Sequence, residues 1–324
     1  MTTIQTATVR APVALDRIEP MLPSASPEPA DSPDRIYEIK WEGVRAVSVV
    51  EGPRAAMHTR GGKDLSEAFF DVADAVLEAA GGADVVLDGE LVVLNDDGIP
   101  ERHAVVERWL AGAPMLPLAQ VNYEIFDILA LNGRPLTNVP LYERKAILHD
   151  VVRPNAMTHL CHFEEGEGVA MYDAALELGL HGIVAKNRHS LYEPGKRTQH
   201  WLSVTNGRAA NLVIGGYTFG GSEQPFGSLL LGAYDGGSLR YVGSVVGGFS
   251  RGGPGVVYEQ ISRLHAESCP FTEEPEVDRF SYWCEPSLAV EVEYGERTPD
   301  GALRFLLFNS LRPDIPPQDC ALPL

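Results

Sequence analysis

Two patterns of apolar residues divide the chain. Between about residues 35 and 206, segments in which apolar and polar residues alternate are interleaved with segments of helical spacing. Alternation predicts strands, and recurrence every three to four residues predicts helices. The predicted strands are 36–40, 44–50, 85–94 and 121–131, and the predicted helices are 65–80, 141–152 and 169–178. The last helix is expected to end near Gly179, because glycine favours helix C-caps.

The pattern changes from about residue 211, where short apolar segments are joined by glycine-containing turns. The predicted strands are 212–218, 228–234, 239–246, 288–294 and 302–308, with one helix over 256–266. Five strands and one helix fit a small β-barrel. Residues 1–34 carry several prolines and few long apolar stretches, which indicates a loosely ordered lead-in. The sequence therefore predicts an α+β chain with a lead-in over 1–34, a first domain over 35–207 and a second over 208–324.

A lysine at the end of a predicted strand is the first candidate for chemistry. Ile36, Glu38 and Lys40 alternate along this strand, which breaks at Gly43. A lysine in this position can direct its amine into a cleft, and it becomes a nucleophile if burial or a neighbouring cation lowers its proton affinity. From these residues alone, a surface lysine on an edge strand is the alternative.

The run Tyr37-Glu-Ile-Lys-Trp-Glu-Gly-Val-Arg45 resembles the nucleotide-accepting motif of ATP-dependent DNA ligases. The likeness is closest to the bacterial end-joining ligases, and it extends in order from about Ile18 to Pro317. The other matching segments are His58-Thr-Arg-Gly-Gly-Lys-Asp-Leu-Ser66, Val86-Leu-Asp-Gly-Glu-Leu-Val92, Tyr123-Glu-Ile-Phe-Asp-Ile-Leu129, Gly182-Ile-Val-Ala-Lys186 and Trp201-Leu-Ser-Val-Thr205. The resemblance implies a two-domain covalent nucleotidyltransferase, with an ATP-grasp-like adenylation domain followed by a C-terminal OB-fold β-barrel.

The resemblance also implies an activity and a set of site residues. Lys40 would attack the α-phosphorus of ATP, carry AMP as a phosphoramidate and pass it to a 5′-phosphate for nick sealing in DNA repair. ATP and a divalent metal, Mg or Mn, are the implied cofactors. Among the implied nucleotide-binding residues, Glu38 would bind the adenine amino group, Phe126 would stack on adenine, and Glu90 would bind the ribose or a metal. Arg60 would hold a phosphate or the 3′ end, and Arg45 would reach the nucleotide or a DNA phosphate. The resemblance also implies Lys186 and Arg197 as nucleotide-binding residues, and Arg312 in the terminal motif. From the residues alone, the ordinary alternatives are surface charges, a hairpin carboxylate at Glu90 and a core aromatic at Phe126.

Several positions depart from the family pattern. Ser203 and Thr205 stand where the fifth motif has two lysines that contact phosphates. His181 replaces an acidic residue that helps to hold a metal, and imidazole suits zinc or transition metals better than Mg²⁺. A metal at Glu90 and His181 is therefore the implied but altered site. Glu42 replaces the commoner aspartate, which is a milder change.

The charge of the chain bears on its partners. It has 45 acidic and 26 basic residues, a net charge of -19, and only five lysines. From residue 208 onward, eight arginines stand against fifteen acidic residues. Binding of nicked double-stranded DNA relies on Lys and Arg contacts to phosphate, so this balance weakens the expectation of DNA binding without excluding it.

Other features give a cytoplasmic expectation and leave the function open among three hypotheses. The four cysteines lack metal-ligand spacing, and neither a membrane-spanning apolar run nor a signal peptide is expected. The first hypothesis is an ATP-dependent DNA ligase. The second is a repurposed adenylating enzyme that acts on a non-DNA substrate. The third is a catalytically weakened paralogue that acts as a binding module, against which the retained Lys40 argues. Oligomeric state is not indicated by the sequence.

Overall fold

The alternating segments on the two sides of Lys40 form strands of two different sheets. The computed structural model describes residues 18–112, 120–221, 224–249, 253–277 and 280–321. The strands of the first domain are β1 (Leu22–Ala25), β2 (Ser32–Ile39), β3 (Val44–Glu51), β4 (Arg54–Thr59), β5 (Val85–Val92), β6 (Asn122–Leu131), β7 (Arg134–Pro135), β8 (Thr158–Leu160), β9 (Phe163–Gly166), β10 (Gly182–Asn187) and β11 (Arg197–Thr205). Its helices are α1 (Phe70–Ala79), α2 (Arg102–Ala111), α3 (Leu141–Val151) and α4 (Gly168–Glu177).

The two sheets of the first domain are joined at the segment that contains Lys40. One sheet has the order β1-β11-β10-β2-β9, and the other has the order β4-β3-β5-β6-β7 with β8 beside β6. The chain crosses from β2 to β3 through residues 40–43. A Cβ atom on Gly43 would lie 1.9 Å from the carbonyl oxygen of Leu91, so only glycine permits this close crossing. The crossing places Lys40 between the sheets.

Each sheet of the first domain packs one apolar face against a different helix. α1 packs its apolar face on β3 and β4, where Val44, Val72 and Leu87 are buried. α4 covers β2 and β10 around Tyr37 and Ile183. The remaining faces of the two sheets meet in a smaller apolar cluster that includes Phe126, Trp201 and Val47. This cluster forms the floor of the cleft between the sheets.

The described part of the second domain contains a seven-stranded sheet, a two-stranded sheet and one α-helix. Its strands are β12 (Ala209–Thr218), β13 (Leu229–Asp235), β14 (Ser238–Val245), β15 (His265–Ala266), β16 (Ser281–Cys284), β17 (Ala289–Glu293), β18 (Glu296–Arg297), β19 (Leu303–Arg304) and β20 (Leu307–Arg312). Helix α5 spans Gly253–Ile261, and a short 3-10 turn spans Pro317–Asp319. The sheet order is β14-β13-β12-β16-β15, and β17 pairs with β12 and β20. Gly236 and Gly237 both have positive φ, as a tight hairpin turn requires.

The described strands do not complete the closed barrel that the sequence predicts. β20 approaches the end of β14 through one backbone hydrogen bond, from Phe308 N to Gly247 O at 2.9 Å. At this contact Gly248 adopts a φ of +90°, and a Cβ at this position would lie 2.5 Å from the Phe308 backbone, so the close approach requires glycine. Among the described strands, β14 and β20 are not paired as strands, so the sheet is open at this seam.

The α+β prediction and most predicted elements are confirmed. α3, α4 and β3 lie within one residue of their predicted bounds, whereas β2 begins at Ser32, four residues before the predicted start. Gly179 follows α4 with a φ of +76°. α1 begins at Phe70 rather than Leu65, because residues 66–69 form turns that precede the helix. α2 was not predicted, because Arg102 and Arg108 are two of its four buried residues and interrupt the apolar pattern.

The predicted lead-in is ordered where the structure describes it. Residues 1–17 lie outside the described residues. Ile18 and Met21 are buried, and β1 pairs in parallel with β11 at the edge of a sheet. Proline is tolerated on an edge strand, so the prolines of this segment do not prevent strand formation. No helix in the described part of the chain is long and apolar enough to cross a membrane.

Candidate active site

A pocket of about 270 Å³ lies between the two sheets of the first domain and beneath the second domain. The first domain supplies Lys40 and the floor of aromatic and aliphatic side chains. The second domain supplies Asn211, Glu291, Arg312 and Asp314. All sequence-predicted nucleotide-binding residues line this pocket. They are Glu38, Arg45, Arg60, Glu90, Phe126, Lys186 and Arg197, and Arg312 of the terminal motif lines the pocket as well.

Lys40 is held at the pocket by backbone and side-chain contacts. Its backbone N–H donates to Gly182 O at 3.0 Å, which continues the pairing of β2 with β10. Its ammonium group is paired with the Glu42 carboxylate, and its side chain is 26% exposed. The neighbouring Trp41 is anchored by a hydrogen bond from its indole N–H to Cys161 Sγ at 3.1 Å. Lys40 is therefore accessible from the pocket while its backbone is fixed.

Glu38 is buried between two lysines rather than exposed to solvent. Its carboxylate lies 2.6 Å from Lys186 Nζ and 2.6 Å from Lys145 Nζ. Burial lowers the pKa of Lys186, and the charge of Glu38 opposes that shift. The sequence did not indicate Lys145, which lies on α3 more than 100 positions from Glu38 in the chain. Of these three residues, Glu38 and Lys186 line the pocket.

Arg45 packs against Phe126 at the floor of the pocket. The Arg45 guanidinium binds Asp88 through two contacts of 2.6 and 2.7 Å, a bidentate geometry. Burial alone would lower the pKa of Arg45, but the Asp88 carboxylate outweighs it and raises that pKa. The guanidinium carbon lies 4.5 Å from the centre of the Phe126 ring, and Lys186 Nζ lies 4.3 Å from it. Phe126 is thus both a core residue and part of the pocket surface.

Glu90 is the pocket carboxylate without a salt bridge to another described residue. It is the cross-strand partner of Arg45 in the pairing of β3 with β5. Burial raises the pKa of Glu90 to about 7, although the charges of Arg45, Arg102 and Arg312 oppose that shift. At neutral pH this carboxyl group is therefore divided between its neutral and ionised forms.

The Glu90→Gln variant is expected to remove a pH dependence of folding stability. The ordinary pKa of 4.5 is raised to about 7 in the folded protein, so between these values only the folded state retains the proton. The stability that this proton contributes is complete below pH 4.5 and is lost as the pH rises through about 7. Each pH unit in the window costs the wild type up to about 1.4 kcal/mol relative to the variant. Urea unfolding of both proteins at pH 5, 6, 7 and 8 measures this difference, and parallel stability profiles would contradict it.

Five charged residues next to Lys40 form a connected network that the sequence did not indicate as a unit. Arg102 on α2 binds Glu42, Glu291 and the carbonyl oxygen of Gly43, the last at 3.1 Å. Arg312 binds the other oxygen of Glu291 at 2.9 Å and Asp314 at 2.7 and 2.9 Å. Of this network, sequence motifs pointed to Glu42 and Arg312 only, because Arg102 and Glu291 belong to segments without a recognisable pattern.

Arg60 and Arg197 lie at the mouth of the pocket. Arg60 Nη2 lies 2.5 Å from Asp319 Oδ2 of the second domain, and Arg197 Nη1 donates to Pro23 O at 2.5 Å. Burial lowers the pKa of Arg197, and the nearby charge of Arg60 lowers it further. Two close cations with one exposed carboxylate partner can accept an anionic group.

The departures from the family pattern occupy different places. Ser203 and Thr205 lie opposite Val184 and Gly182 in the pairing of β10 with β11. Cross-strand partners share a face, so both side chains point to the cleft side of their sheet, although neither lines the pocket. His181 is exposed, and its carbonyl accepts a hydrogen bond from Asn206 N. His181 is not part of the pocket wall, so the structure does not bring it together with Glu90 as a metal site.

The pocket offers oxygen ligands for a divalent metal but no complete protein cage. Within the described residues no group of three or more His, Cys, Asp or Glu side chains is arranged to hold a metal ion. Glu42 and Glu291 are already paired with cations, which leaves Glu90 as the available carboxylate. Mg²⁺ commonly binds through one or two carboxylates together with substrate phosphates and water. The donor set fits Mg²⁺ or Mn²⁺ in that arrangement.

Comparisons with known proteins agree with this geometry. A family model described as the ATP dependent DNA ligase domain matches residues 20–204, and one described as the ATP dependent DNA ligase C terminal region matches residues 222–315. The solved structure of mycobacterial DNA ligase D complexed with ATP and MES covers 95% of this chain and 99% of its own, with a TM-score of 0.68 and 27% identity. The ligase domain of Mycobacterium tuberculosis LigD has the same coverage, with a TM-score of 0.54 and 26% identity. These matches confirm the predicted two-domain nucleotidyltransferase fold.

A curated relative gives the same result over part of its length. The multifunctional non-homologous end joining protein LigD of Mycobacterium bovis is 30% identical over 287 residues. The match covers 87% of this chain but 37% of the relative, so the chain spans little more than a third of that protein. The similarity therefore concerns one part of LigD and not its full length.

Proposed function

Because the chain belongs to the ATP-dependent DNA ligase family, we propose that it transfers AMP from ATP, through a covalent adduct on Lys40, to a 5′-phosphate in nicked DNA. One observation carries the proposal. The Lys40 amine opens onto a pocket whose walls combine the buried Glu38 carboxylate, the Phe126 ring and arginines from both domains. This combination offers contacts to a base, a sugar and phosphates in a single site.

The pocket residues have complementary roles in nucleotide binding. Glu38, held between Lys145 and Lys186, is a fixed hydrogen-bond acceptor for the amino group of adenine. Phe126 provides a flat apolar surface for the base, and Arg45 keeps its orientation through Asp88. Because these side chains are positioned before nucleotide binds, little ordering is needed when it does.

Adenylation requires Lys40 to attack as a neutral amine. The Glu42 carboxylate contacts the ammonium group and is the nearest acceptor for its proton. The amine nitrogen forms a bond to the α-phosphorus while the bond from that phosphorus to the pyrophosphate oxygen breaks. Arg312, Arg60 and Arg197 lie where they can stabilise the departing negative charge. A divalent metal, Mg²⁺ or Mn²⁺, held by Glu90 would add to this charge stabilisation.

The sealing steps return the enzyme to its starting state. An oxygen of the 5′-phosphate attacks the phosphorus of the adduct, and the Lys40 amine leaves. The 3′-hydroxyl of the nick then attacks the activated 5′-phosphate, and AMP is released as the phosphodiester forms. Arg60 and Arg197 at the pocket mouth are the proposed contacts for the DNA ends. We also propose a role in DNA end joining and a cytoplasmic location, on the basis of the similarity to LigD.

Labelled ATP tests the proposal directly. The protein is incubated with α-phosphate-labelled ATP and either Mg²⁺ or Mn²⁺, and a label that survives denaturation is expected. Addition of duplex DNA with a single nick is expected to discharge the label and to give sealed product. Absence of the adduct with both metals would refute the proposal, whereas a stable adduct that does not discharge onto DNA would indicate a different acceptor.

A further inference from the structure

Arg102 holds a position that the proposed reaction does not yet explain. It is the first residue of α2, it is 9% exposed, and it lines the pocket beside Lys40. Each of its three guanidinium nitrogens is engaged: Nε by Gly43 O, Nη2 by Glu42 and Nη1 by Glu291. Carboxylates of Glu291 and Glu42 outweigh the effect of burial and raise the pKa of Arg102. A buried guanidinium with three acceptors on three different residues is a structural junction.

Two of these acceptors belong to the loop that carries the nucleophile. Glu42 uses Oε1 for Lys40 and Oε2 for Arg102, so the lysine and the arginine share one carboxylate. The contact of Arg102 with Gly43 O fixes the backbone one residue further along. The direction in which Glu42 presents its oxygen to Lys40 therefore depends on Arg102.

The third acceptor belongs to the other domain. Glu291 lies on β17, and it uses Oε1 for Arg102 and Oε2 for Arg312. A continuous series of charge pairs thus runs from Lys40 through Glu42, Arg102 and Glu291 to Arg312. A second ion pair between described residues of the two domains, Arg60 with Asp319, is more exposed and does not touch the Lys40 loop.

In this geometry the position of the second domain affects the contact between Lys40 and Glu42. When β17 moves away, Arg102 loses Glu291 and its free donor is drawn to the remaining carboxylate, Glu42. Arg102 then competes with Lys40 for Glu42. When β17 is in place, Glu291 takes one arm of Arg102, and the two oxygens of Glu42 are divided between Lys40 and Arg102. A planar guanidinium can hold these acceptors in different directions, which the single ammonium of lysine cannot do.

We propose that Arg102 is a positioning residue that couples closure of the second domain to the placement of Lys40 for adenylation. The proposal rests on the proposed function in assigning adenylation to Lys40. It goes beyond that function because it identifies the side chain through which one domain controls the nucleophile of the other. The coupling acts on the formation of the adduct and not on the later joining of an activated DNA end.

Arg102→Ala and Arg102→Lys are the test variants, and Arg108→Ala is the matched control. Arg108 is on the same helix, is also buried, and binds Asp71 and Ala68 O away from the pocket. Formation of the adduct from labelled ATP is expected to slow by about thirtyfold or more in Arg102→Ala, since truncating one partner of a buried charge pair has effects of that size. Sealing of a nick that already carries a 5′-adenylate is expected to change by less than about threefold. Arg102→Lys should recover only a small part of the loss.

Small-angle X-ray scattering supplies a measurement that does not depend on activity. Arg102→Ala and Glu291→Gln are each expected to increase the radius of gyration of the full chain, and the double variant should add little to either. Arg108→Ala should leave the radius unchanged. An unchanged radius in Arg102→Ala, an equal loss in both reaction steps, or the same separation of steps in Arg108→Ala would overturn the proposal. If the wild type forms no adduct, the proposed function fails, but the scattering comparison still decides whether Arg102 holds the domains together.

Discussion

Replacing Lys40 by alanine is expected to abolish covalent labelling by ATP. The adduct requires a nitrogen nucleophile at the pocket, and alanine removes it without disturbing the backbone bond from residue 40 to Gly182 O. The loss should be at least about a thousandfold, as is usual when a covalent nucleophile is removed. The label on the denatured protein, quantified after incubation with α-phosphate-labelled ATP, measures this effect.

A second lysine variant separates the nucleophile from the general effect of charge. Lys196 is 68% exposed and is paired only with the nearby Glu193, so Lys196→Ala removes the same side chain outside the pocket. Its labelling should match that of the wild type. Lys40→Arg keeps a positive charge but provides no neutral amine, and it should fail like Lys40→Ala. Wild-type labelling in either Lys40 variant would place the nucleophile on another residue.

The residues that sequence reasoning identified share a simple property. Glu38, Lys40 and Glu90 each lie on one strand or its end, within a short run whose alternation fixes the face of the side chain. Alternation therefore predicts that Glu38 and Lys40 point to the same face of one strand, whereas Glu90 is placed in the same site by the resemblance of its motif to the family. The sequence could not predict the pairing of Glu38 with Lys145, because that contact depends on how α3 packs on the sheet.

Arg102 shows the limit of pattern-based prediction more clearly. Its contact with Glu291 joins residues 189 positions apart and from different domains. No local periodicity reports such a contact. The buried arginines of α2 also interrupted the apolar pattern, so the helix itself was missed. A charge that is buried because it is paired looks like a surface charge until its partner is known.

The acidic composition also has a different meaning once the structure is known. Buried carboxylates in and around the pocket form ion pairs with arginine or lysine, as Asp88 does with Arg45 and Asp127 with Arg144. These carboxylates position cations instead of repelling a nucleotide. Net charge therefore describes the protein surface and its encounter with DNA, but not the local field at Lys40.

The Glu38→Gln variant is expected to lose about 3–5 kcal/mol of folding stability, because it leaves two buried lysines without their carboxylate. Glu38 is 2% exposed, and water cannot replace the lost charge. The pKa of Lys186 is already lowered by burial, and removal of Glu38 should lower it further. A buried lysine with a lowered pKa destabilises the fold while it is charged, so the deficit should shrink as the pH rises. Urea unfolding at pH 6 and pH 9 measures both effects.

Two further variants distinguish lost pairing from lost packing. In Glu38→Gln/Lys145→Met, one cation is removed together with its partner, and Lys186 keeps its contacts of 4.3 Å with the Phe126 and Trp201 rings. The double variant should therefore be more stable than Glu38→Gln alone. Glu259→Gln, which breaks an exposed pair with Arg263, should cost less than about 1 kcal/mol. If the double variant were less stable than Glu38→Gln, the carboxylate would be needed for packing, and the two lysines would not be the cause of the loss.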